Sequence, residues 1–467
     1  MKRAAALIAI VLGATVGREA QAGDPLAAPS ATAAPAPAPA QQEQQQPSPK
    51  RAVPDYSGRG PEPTTAGDVA LWAPRVVLSP LYLVSEYVIR WPLSVGIPAA
   101  ERADLPRKVY DFFTFGPEHK AGFAPVGMFD FDFNPSIGIY AFWNDAGFKG
   151  DDWHLHVEAW PSDWVAGSLT DHIRIDDRGA VQFRVEGIRR PDRVFYGIGS
   201  DTRQSYQSRY GEDRFDGGAR YEWRFWRSSR IETGVGLRAA SIYDGHYGND
   251  PSLSKEAGTG VFTLPPGFGG GYTAEYNRAS LVLDTRRPWP LPGSGFRAEV
   301  QGEQGSDVRN SPSSGWIRYG ASAGAYVDLN QRGRVLGLSV MSLFADPLGD
   351  RPVPFTELAS LGGDGPMRGY FARRMVDRSA AAAALHYVWP IGPWLGGTIE
   401  AGVGNTFDEH LQGFRAGRLR FSGDIGVSTL GLTDFPMELI FGMGSETFEQ
   451  GGTIDSFRFT LSVNHGF

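Results

Sequence analysis

The chain has 467 residues, with 45 Lys plus Arg against 52 Asp plus Glu (formal charge −7), 60 Gly, 34 Pro and no Cys. A cysteine-free chain holds no disulfide framework, zinc ribbon or thiol nucleophile, and the acidic balance argues against nucleic-acid binding. Mean hydropathy is −0.27, and beyond the N-terminus no uncharged run reaches the roughly 18 apolar residues of a spanning helix. A β-barrel, which spends alternate residues on lipid, stays open.

At the N-terminus, Lys2 and Arg3 precede an apolar stretch from Ala4 to Gly17, and Ala20-Gln21-Ala22 supplies a small-x-small cleavage pattern. Residues 1–22 are expected to be a signal peptide, so the mature chain works outside the cytoplasm. Residues 23–65 are dominated by Ala, Pro and Gln, with few large apolar side chains to offset the entropy of ordering; they are expected to form a disordered linker. Residues 66–120 crowd Val69, Leu71, Trp72, Leu81, Tyr87 and Trp91 around a polar stripe of Arg75, Ser79, Glu86 and Arg90, broken at Pro80 and Pro92. This is expected to be an amphipathic periplasmic segment. It could lie on the membrane face, dock at the mouth of the following domain, or pack as ordinary protein.

From residue 121 to 467 the pattern becomes alternation. Phe457, Phe459, Leu461, Val463 and Phe467 share one face, and Ser456, Arg458, Thr460, Ser462 and Asn464 the other. The same period recurs at Phe129, Phe131 and Phe133, at Val181, Phe183 and Val185, and at Tyr221, Trp223 and Phe225. Sixteen segments are expected, starting near Pro125, Ser136, Trp153, Val165, Ala180, Gly217, Ile231, Ala274, Gly295, Trp316, Val335, Ala380, Trp394, Arg418, Pro436 and Ser456. A soluble sandwich or propeller would also alternate. The export signal, the aromatic segment ends (Trp143, Trp160, Trp226, Trp316, Trp389, Trp394) and the terminal Phe467 favour an all-β, 16-stranded transmembrane antiparallel barrel instead. Asn134-Pro135, Asp176 to Gly179 and Asn330 to Gly333 are expected to be tight periplasmic turns, and Asp346 to Arg378 a long external loop.

That loop carries Gly362-Gly363-Asp364-Gly365-Pro366-Met367-Arg368-Gly369-Tyr370. Here the chain resembles the BamA/TamA family of outer-membrane assembly and translocation barrels (the bacterial surface antigen family), whose sixth external loop folds an Arg-Gly-Phe/Tyr motif back into the lumen. Asp284-Thr285-Arg286-Arg287 through Pro292-Gly293-Ser294-Gly295, Phe195-Tyr196-Gly197-Ile198-Gly199, and the block from Gly423 to Phe467 extend the resemblance over roughly residues 125 to 467. It implies a lumenal motif of Arg368, Gly369 and Tyr370, and a C-terminal strand signal at Phe467. An arginine entering a barrel needs an anion, best a bidentate carboxylate. Alternation turns Glu400 inward, at the position where the family carries aspartate, and His386 inward where the family has glutamate. Arg368 is therefore expected to pair with Glu400, with His386 nearby.

No βααββ POTRA pattern fits the residues before the barrel, so the resemblance is to a short family member. It implies a bacterial outer-membrane location and assistance to insertion or translocation of proteins or lipids, through a loop-gated lumen and a weak seam between first and last strands. Pro125, Gly127 and Gly466 mark that seam, where lost ladder bonds weaken pairing; a closed wall whose glycines merely accommodate curvature is the other reading. The alternative function is a passive, porin-like channel. Partners implied are outer-membrane lipids, unfolded outer-membrane proteins or lipid clients, and a periplasmic protein; no nucleic acid is expected.

No enzyme activity, cofactor or metal is expected. Gly320-Ala321-Ser322-Ala323-Gly324 matches a nucleophile elbow but lies in an alternating strand without the following helix. His154, His156 and Glu158 share a face at spacings of roughly 6 to 7 Å, which suit polar lining better than a metal site.

Overall fold

The computed structural model describes Tyr87 and residues 104–160, 163–286, 293–309, 313–363, 365–391, 395–429 and 437–463. The expected signal peptide, the linker, the part of the 66–120 segment before residue 104 apart from Tyr87, and Trp394, Gly466 and Phe467 lie outside the described residues.

The alternating segments form sixteen antiparallel strands that close into one barrel. They are β1 (Ala121–Asp130), β2 (Ser136–Trp143), β3 (Asp151–Trp160), β4 (Trp164–Arg174), β5 (Gly179–Phe195), β6 (Ser208–Trp226), β7 (Ser229–Asp244) and β8 (Tyr272–Asp284), followed by β9 (Gly295–Asp307), β10 (Gly315–Asp328), β11 (Val335–Pro347), β12 (Ser379–Pro390), β13 (Leu395–Phe407), β14 (Arg420–Thr429), β15 (Met437–Ser445) and β16 (Ile454–Val463). Each strand pairs with its sequence neighbours, and β16 pairs with β1. Closure leaves no edge in hydrocarbon, where an unpaired backbone group costs several kcal/mol. Alternation sorts the walls: Ile139, Leu155, Val235, Val300, Leu338, Leu385 and Phe441 are exposed on the lipid side. Glu158, Arg238, Glu400, Asp424 and Arg458 are buried on the lumenal side.

The expected strand starts fall within three residues of the observed ones except at β1, which begins at Ala121 instead of Pro125, and β6, which begins at Ser208 instead of Gly217. β5, β6 and β7 run 17, 19 and 16 residues, well past the roughly 9 to 11 a membrane strand requires. Beyond the bilayer the lipid face disappears, so the dyad hydropathy that marks a strand in sequence disappears with it, while the hydrogen-bond ladder continues through Arg209 and Glu212.

Strand parity fixes which connections share an end. Asp176 to Gly179 and Asn330 to Gly333 turn at one end: the Asp176 carboxylate accepts N–H bonds from Arg178 (2.7 Å) and Gly179 (2.5 Å), and Asp328 accepts one from Gly333 (3.0 Å), whose φ is +78°. Asn134-Pro135, expected there too, joins β1 to β2 at the opposite end, with the loop of residues 348–378. The Asn134 N–H is tied to Asp192 at 2.7 Å and neighbouring Phe133 packs edge-on to loop residue Phe371 at 5.0 Å, so this short turn belongs to the external end.

The 348–378 loop enters the lumen. It contains a hairpin of Ala359–Leu361 against Met375–Asp377, and Phe355, fully buried, meets Phe195 and Tyr210 edge-on at 5.2 and 5.1 Å. With Tyr272, Trp316 and Val353 they make a packed core inside the external half of the barrel. Among the described residues, two α-helices stand apart from the strands: α1 (Leu105–Phe113) before β1, and α2 (Leu253–Ala257) in the β7–β8 loop, whose Leu253 packs into that core.

The two faces make a quantitative contrast. Leu338→Arg, in the middle of the lipid face of β11, should destabilise the barrel by about 2–4 kcal/mol in urea unfolding from lipid vesicles. Ser322→Arg, lumenal on β10 and paired with Glu299, should cost less than about 1 kcal/mol; equal costs would contradict the assignment of faces.

Candidate functional site

The motif lies against the lumenal wall of β13 to β16, where alternation leaves a row of acids and hydroxyls. Gly369 is the point of closest approach. Its N–H donates to Ser422 Oγ (2.9 Å), and a Cβ there would stand 2.0 Å from the Met443 carbonyl oxygen, so only glycine allows the loop to lie flat on the strands. Gly442 and Gly444 form the other half of the fit: a Cβ on Gly442 would meet Gly369 Cα at 2.7 Å, and one on Gly444 would meet the Tyr370 ring at 2.2 Å. Tyr370 fills that hollow, with its hydroxyl 2.8 Å from the Phe421 carbonyl and 2.6 Å from that of Ser445. Burial pushes its phenol up to about 12, so it remains a donor.

Arg368 does not pair with Glu400. Its Nη2 holds Glu438 on β15, while Glu400 is taken by two other groups: the Met367 N–H (3.3 Å) and His386 Nδ1 (2.9 Å). The reason lies in the wall. His386 and Glu400 are direct cross-strand partners in the β12–β13 ladder, so the histidine reaches that carboxylate without any loop. Arg368 is held instead by an inward acid two strands along. Between them stands Asp424, opposite Glu400 in the β13–β14 ladder and buried with no hydrogen-bond partner on either carboxylate oxygen. Its charge and that of Glu400 still favour the guanidinium at long range. On β16, Arg458 donates to the Gly363 carbonyl at 2.7 Å.

Sequence reading missed Glu438 and Asp424, although alternation marks both. Glu438 sits at lumenal parity beside lipid-facing Leu439, Phe441 and Met443, and an isolated inward acid is an available partner for a loop cation. A second anchor was not legible at all. Glu357 accepts bonds from Arg238 (2.9 Å), Arg318 (3.0 Å) and the Tyr272 hydroxyl, joining the loop to β7, β8 and β10. Burial pushes this carboxyl up, but Arg318 and Arg238 outweigh it and hold the group below the usual carboxylate range. Nearer the external rim, Arg374 donates to Thr202 (3.0 Å) and lies over the Tyr196 ring at 4.2 Å. Burial pushes Asp377 up to about 6.

At the expected seam, β1 and β16 are paired from Gly127–Val463 to Asp130–Thr460, and Phe131 N–H donates to the Phe459 carbonyl at 2.8 Å. Antiparallel alternation sends the backbone groups of odd-numbered β1 residues toward β16, so the missing N–H of Pro125 falls on the seam side. Gly127 is also small for another reason: a Cβ would stand 2.8 Å from the Ser136 carbonyl oxygen of β2.

The enzyme-like and metal-like groups resolve into wall chemistry. Ser322 is in mid-strand, paired with Glu299 and Met341. His156 Nε2 is 2.6 Å from Glu158, whose other oxygen accepts from Ser136, a buried lumenal cluster across β2 and β3. Asp346, Glu409 and His410 converge closely enough for a cation, but Arg378 already bonds both carboxylates at 3.1 and 3.0 Å.

These pairings order two variants. A spin label on Gly365→Cys, where an added Cβ meets open space, reports motion of the loop tip. Glu438→Ala should mobilise it and lower stability by about 1–3 kcal/mol, because a mostly buried guanidinium loses its partner; Glu400→Ala should release His386 and mobilise the tip less. The reverse order would restore the Arg368–Glu400 pairing.

Comparison with known proteins agrees with this architecture. The Omp85 superfamily domain matches residues 180–408. Among solved structures, BamA from Haemophilus ducreyi lacking POTRA domains 1–3 is similar with a TM-score of 0.52 and 12% identity, over 74% of this chain and 70% of that one. CdiB from Acinetobacter baumannii gives 0.44 and 10%, over 73% and 59% of the two chains. CdiB from Escherichia coli gives 0.48 and 11%, over 75% and 63%, so the chain spans about three-fifths of either CdiB. No curated protein matches by sequence. Residues 180–408 therefore match the Omp85 superfamily domain, within a chain that folds as an outer-membrane β-barrel.

Proposed function

We propose that this barrel assists insertion or translocation of clients at the outer membrane, working at the β1–β16 seam while the 348–378 loop keeps the lumen closed. The observation that carries the reading is the proline on the seam edge of β1: Phe131 N–H donates to Phe459 of β16, so odd-numbered β1 positions face the seam, and Pro125 among them has no N–H to give. Since each lost ladder bond in lipid costs several kcal/mol, the wall opens most cheaply where fewest bonds must break. A strand edge released there is a template for an incoming strand.

The clients of such a seam are unfolded outer-membrane proteins or lipids, and the surrounding outer-membrane lipids are its working medium. A periplasmic partner would reach it along the tether of residues 23–65. The work is mechanical and requires no cofactor, metal or catalytic residue. Arg368, Gly369 and Tyr370 act in this reading by fixing the loop to β14 and β15, next to the seam strand β16. A passive channel would need a clear lumen, and the aromatic core around Phe355 supports the first reading over it.

Met128 and Ser462 face each other across the seam as a non-hydrogen-bonded pair, the close spacing that suits a disulfide, and the chain has no cysteine to compete. Met128→Cys with Ser462→Cys, oxidised in proteoliposomes, should lose at least about tenfold of its rate of inserting a test barrel, equivalent to roughly 1.4 kcal/mol, and regain it on reduction. Undiminished insertion after oxidation rules the seam out, and ion conductance unchanged by either state or by Arg368→Ala assigns the barrel to the passive class.

A further inference from the structure

The residues just before β1 do not leave the wall cleanly. Thr114 and Phe115 form a two-residue strand against Gly122 and Ala121. Those two residues already pair with Phe142 and Trp143 of β2, so the short strand occupies the other edge of β1, the seam edge, at the end opposite the 348–378 loop. The five-residue connection, 116–120, is tied to the next turn by Lys120 and Asp145 at 3.0 Å. Helix α1 folds down on the same spot: a Cβ on Gly122 would be 2.7 Å from the Phe113 carbonyl oxygen, and the Phe113 ring meets Phe123 edge-on at 5.3 Å.

Register gives this strap a face. Residues directly opposite in an antiparallel ladder point to the same side of the sheet. Phe115 is opposite Ala121, Ala121 opposite Trp143, and Trp143 opposite Trp153. This is one row across four strands on the lipid side, at the periplasmic end, and its aromatic members are 54%, 57% and 40% exposed. A row of aromatics at that height is the interfacial girdle of an outer-membrane barrel, and Phe115 carries it one strand beyond β1. On α1, Phe112 is 73% exposed, next to Phe113 at 4.9 Å, while Arg107 and Asp111 pair one turn apart on the polar side at 3.7 Å.

We propose that residues 105–120 form a lipid-seated strap, with Phe112 and Phe115 docked at the headgroup boundary of the periplasmic leaflet, holding the seam edge of β1. The occupant follows from continuity: Phe115 belongs to the same row as Trp143 and Trp153, whose surroundings are the bilayer interface. An aromatic ring is stable there because its apolar body meets acyl chains while the polar side of the helix keeps water. The strap also covers the part of the β1 edge nearest the periplasm, so a strand arriving from that side meets the strap before it meets β1.

The cysteine-free sequence permits a direct test. Spin labels are placed singly on Phe112→Cys and Phe115→Cys, with Ile139→Cys as the lipid-facing reference and Arg107→Cys as the aqueous one, in vesicles of phosphatidylethanolamine and phosphatidylglycerol. Oxygen should relax the labels at 112 and 115 as it does at 139, and a water-soluble nickel chelate should relax them at least about threefold less than at 107. Nickel access equal to that at 107 overturns the proposal. So does exclusion of both reagents, which would mean a protein surface covers the strap. Heat-modifiable gel migration confirms that each labelled barrel is folded, and if Phe115→Cys fails that criterion, Phe112→Cys decides alone. The labels report lipid contact whether or not the barrel inserts clients, so this result is independent of the seam experiment.

Discussion

In hydrocarbon a backbone N–H or carbonyl has no water to turn to, and every residue in the wall must find its partner on a neighbouring strand. That constraint forces sixteen strands to close, and it makes the junction of β1 with β16 different from the others. Fifteen junctions join strands adjacent in the chain, with the connection itself holding the pair in register. The sixteenth joins residues more than three hundred positions apart, from Asp130 to Thr460, with no connection to hold it. A proline and a glycine on that edge of β1 therefore carry more consequence than the same residues elsewhere.

The lumen answers a second problem. A barrel of this size lined by polar groups would conduct, but the 348–378 loop fills its external half and is anchored at opposite sides of the wall. On one side Glu357 takes Arg238, Arg318 and Tyr272. On the other, Arg368 takes Glu438, while Gly369 and Tyr370 fit against Gly442 and Gly444. The two anchors have opposite charge sense, a loop carboxylate held by wall arginines and a loop arginine held by a wall carboxylate. A single sliding motion of the loop would break both. Its second anchor is on β15, adjacent to the seam strand, so the loop braces the wall beside its weakest junction.

Legibility in the sequence followed the physics of each feature. Strands within the membrane were readable because lipid on one side and water on the other impose a period of two on the residues themselves, and the inward direction of Glu400, His386 and Arg458 came from the same count. The upper parts of β5 to β7 were not readable, since above the bilayer the two faces cease to differ. The end of the barrel on which Asn134-Pro135 turns was misassigned from turn chemistry. Proline and asparagine favour a turn at either end, and only strand parity says which.

What the sequence determined by itself was the barrel, its strand number, the lumenal parity and the loop that bears Arg368. Which carboxylate Arg368 holds was decided only in three dimensions, as were the Glu357 anchor and the placement of Phe115 in the row of Trp143 and Trp153. Alternation names the side of the wall a residue faces, and it does so one residue at a time. Partner choice depends on how far each strand is shifted against the next and where a thirty-residue loop comes to rest, and those depend on packing among residues far apart in the chain. His386 holds Glu400 because the β12–β13 register puts it directly opposite, and the arginine is held by Glu438 two strands along.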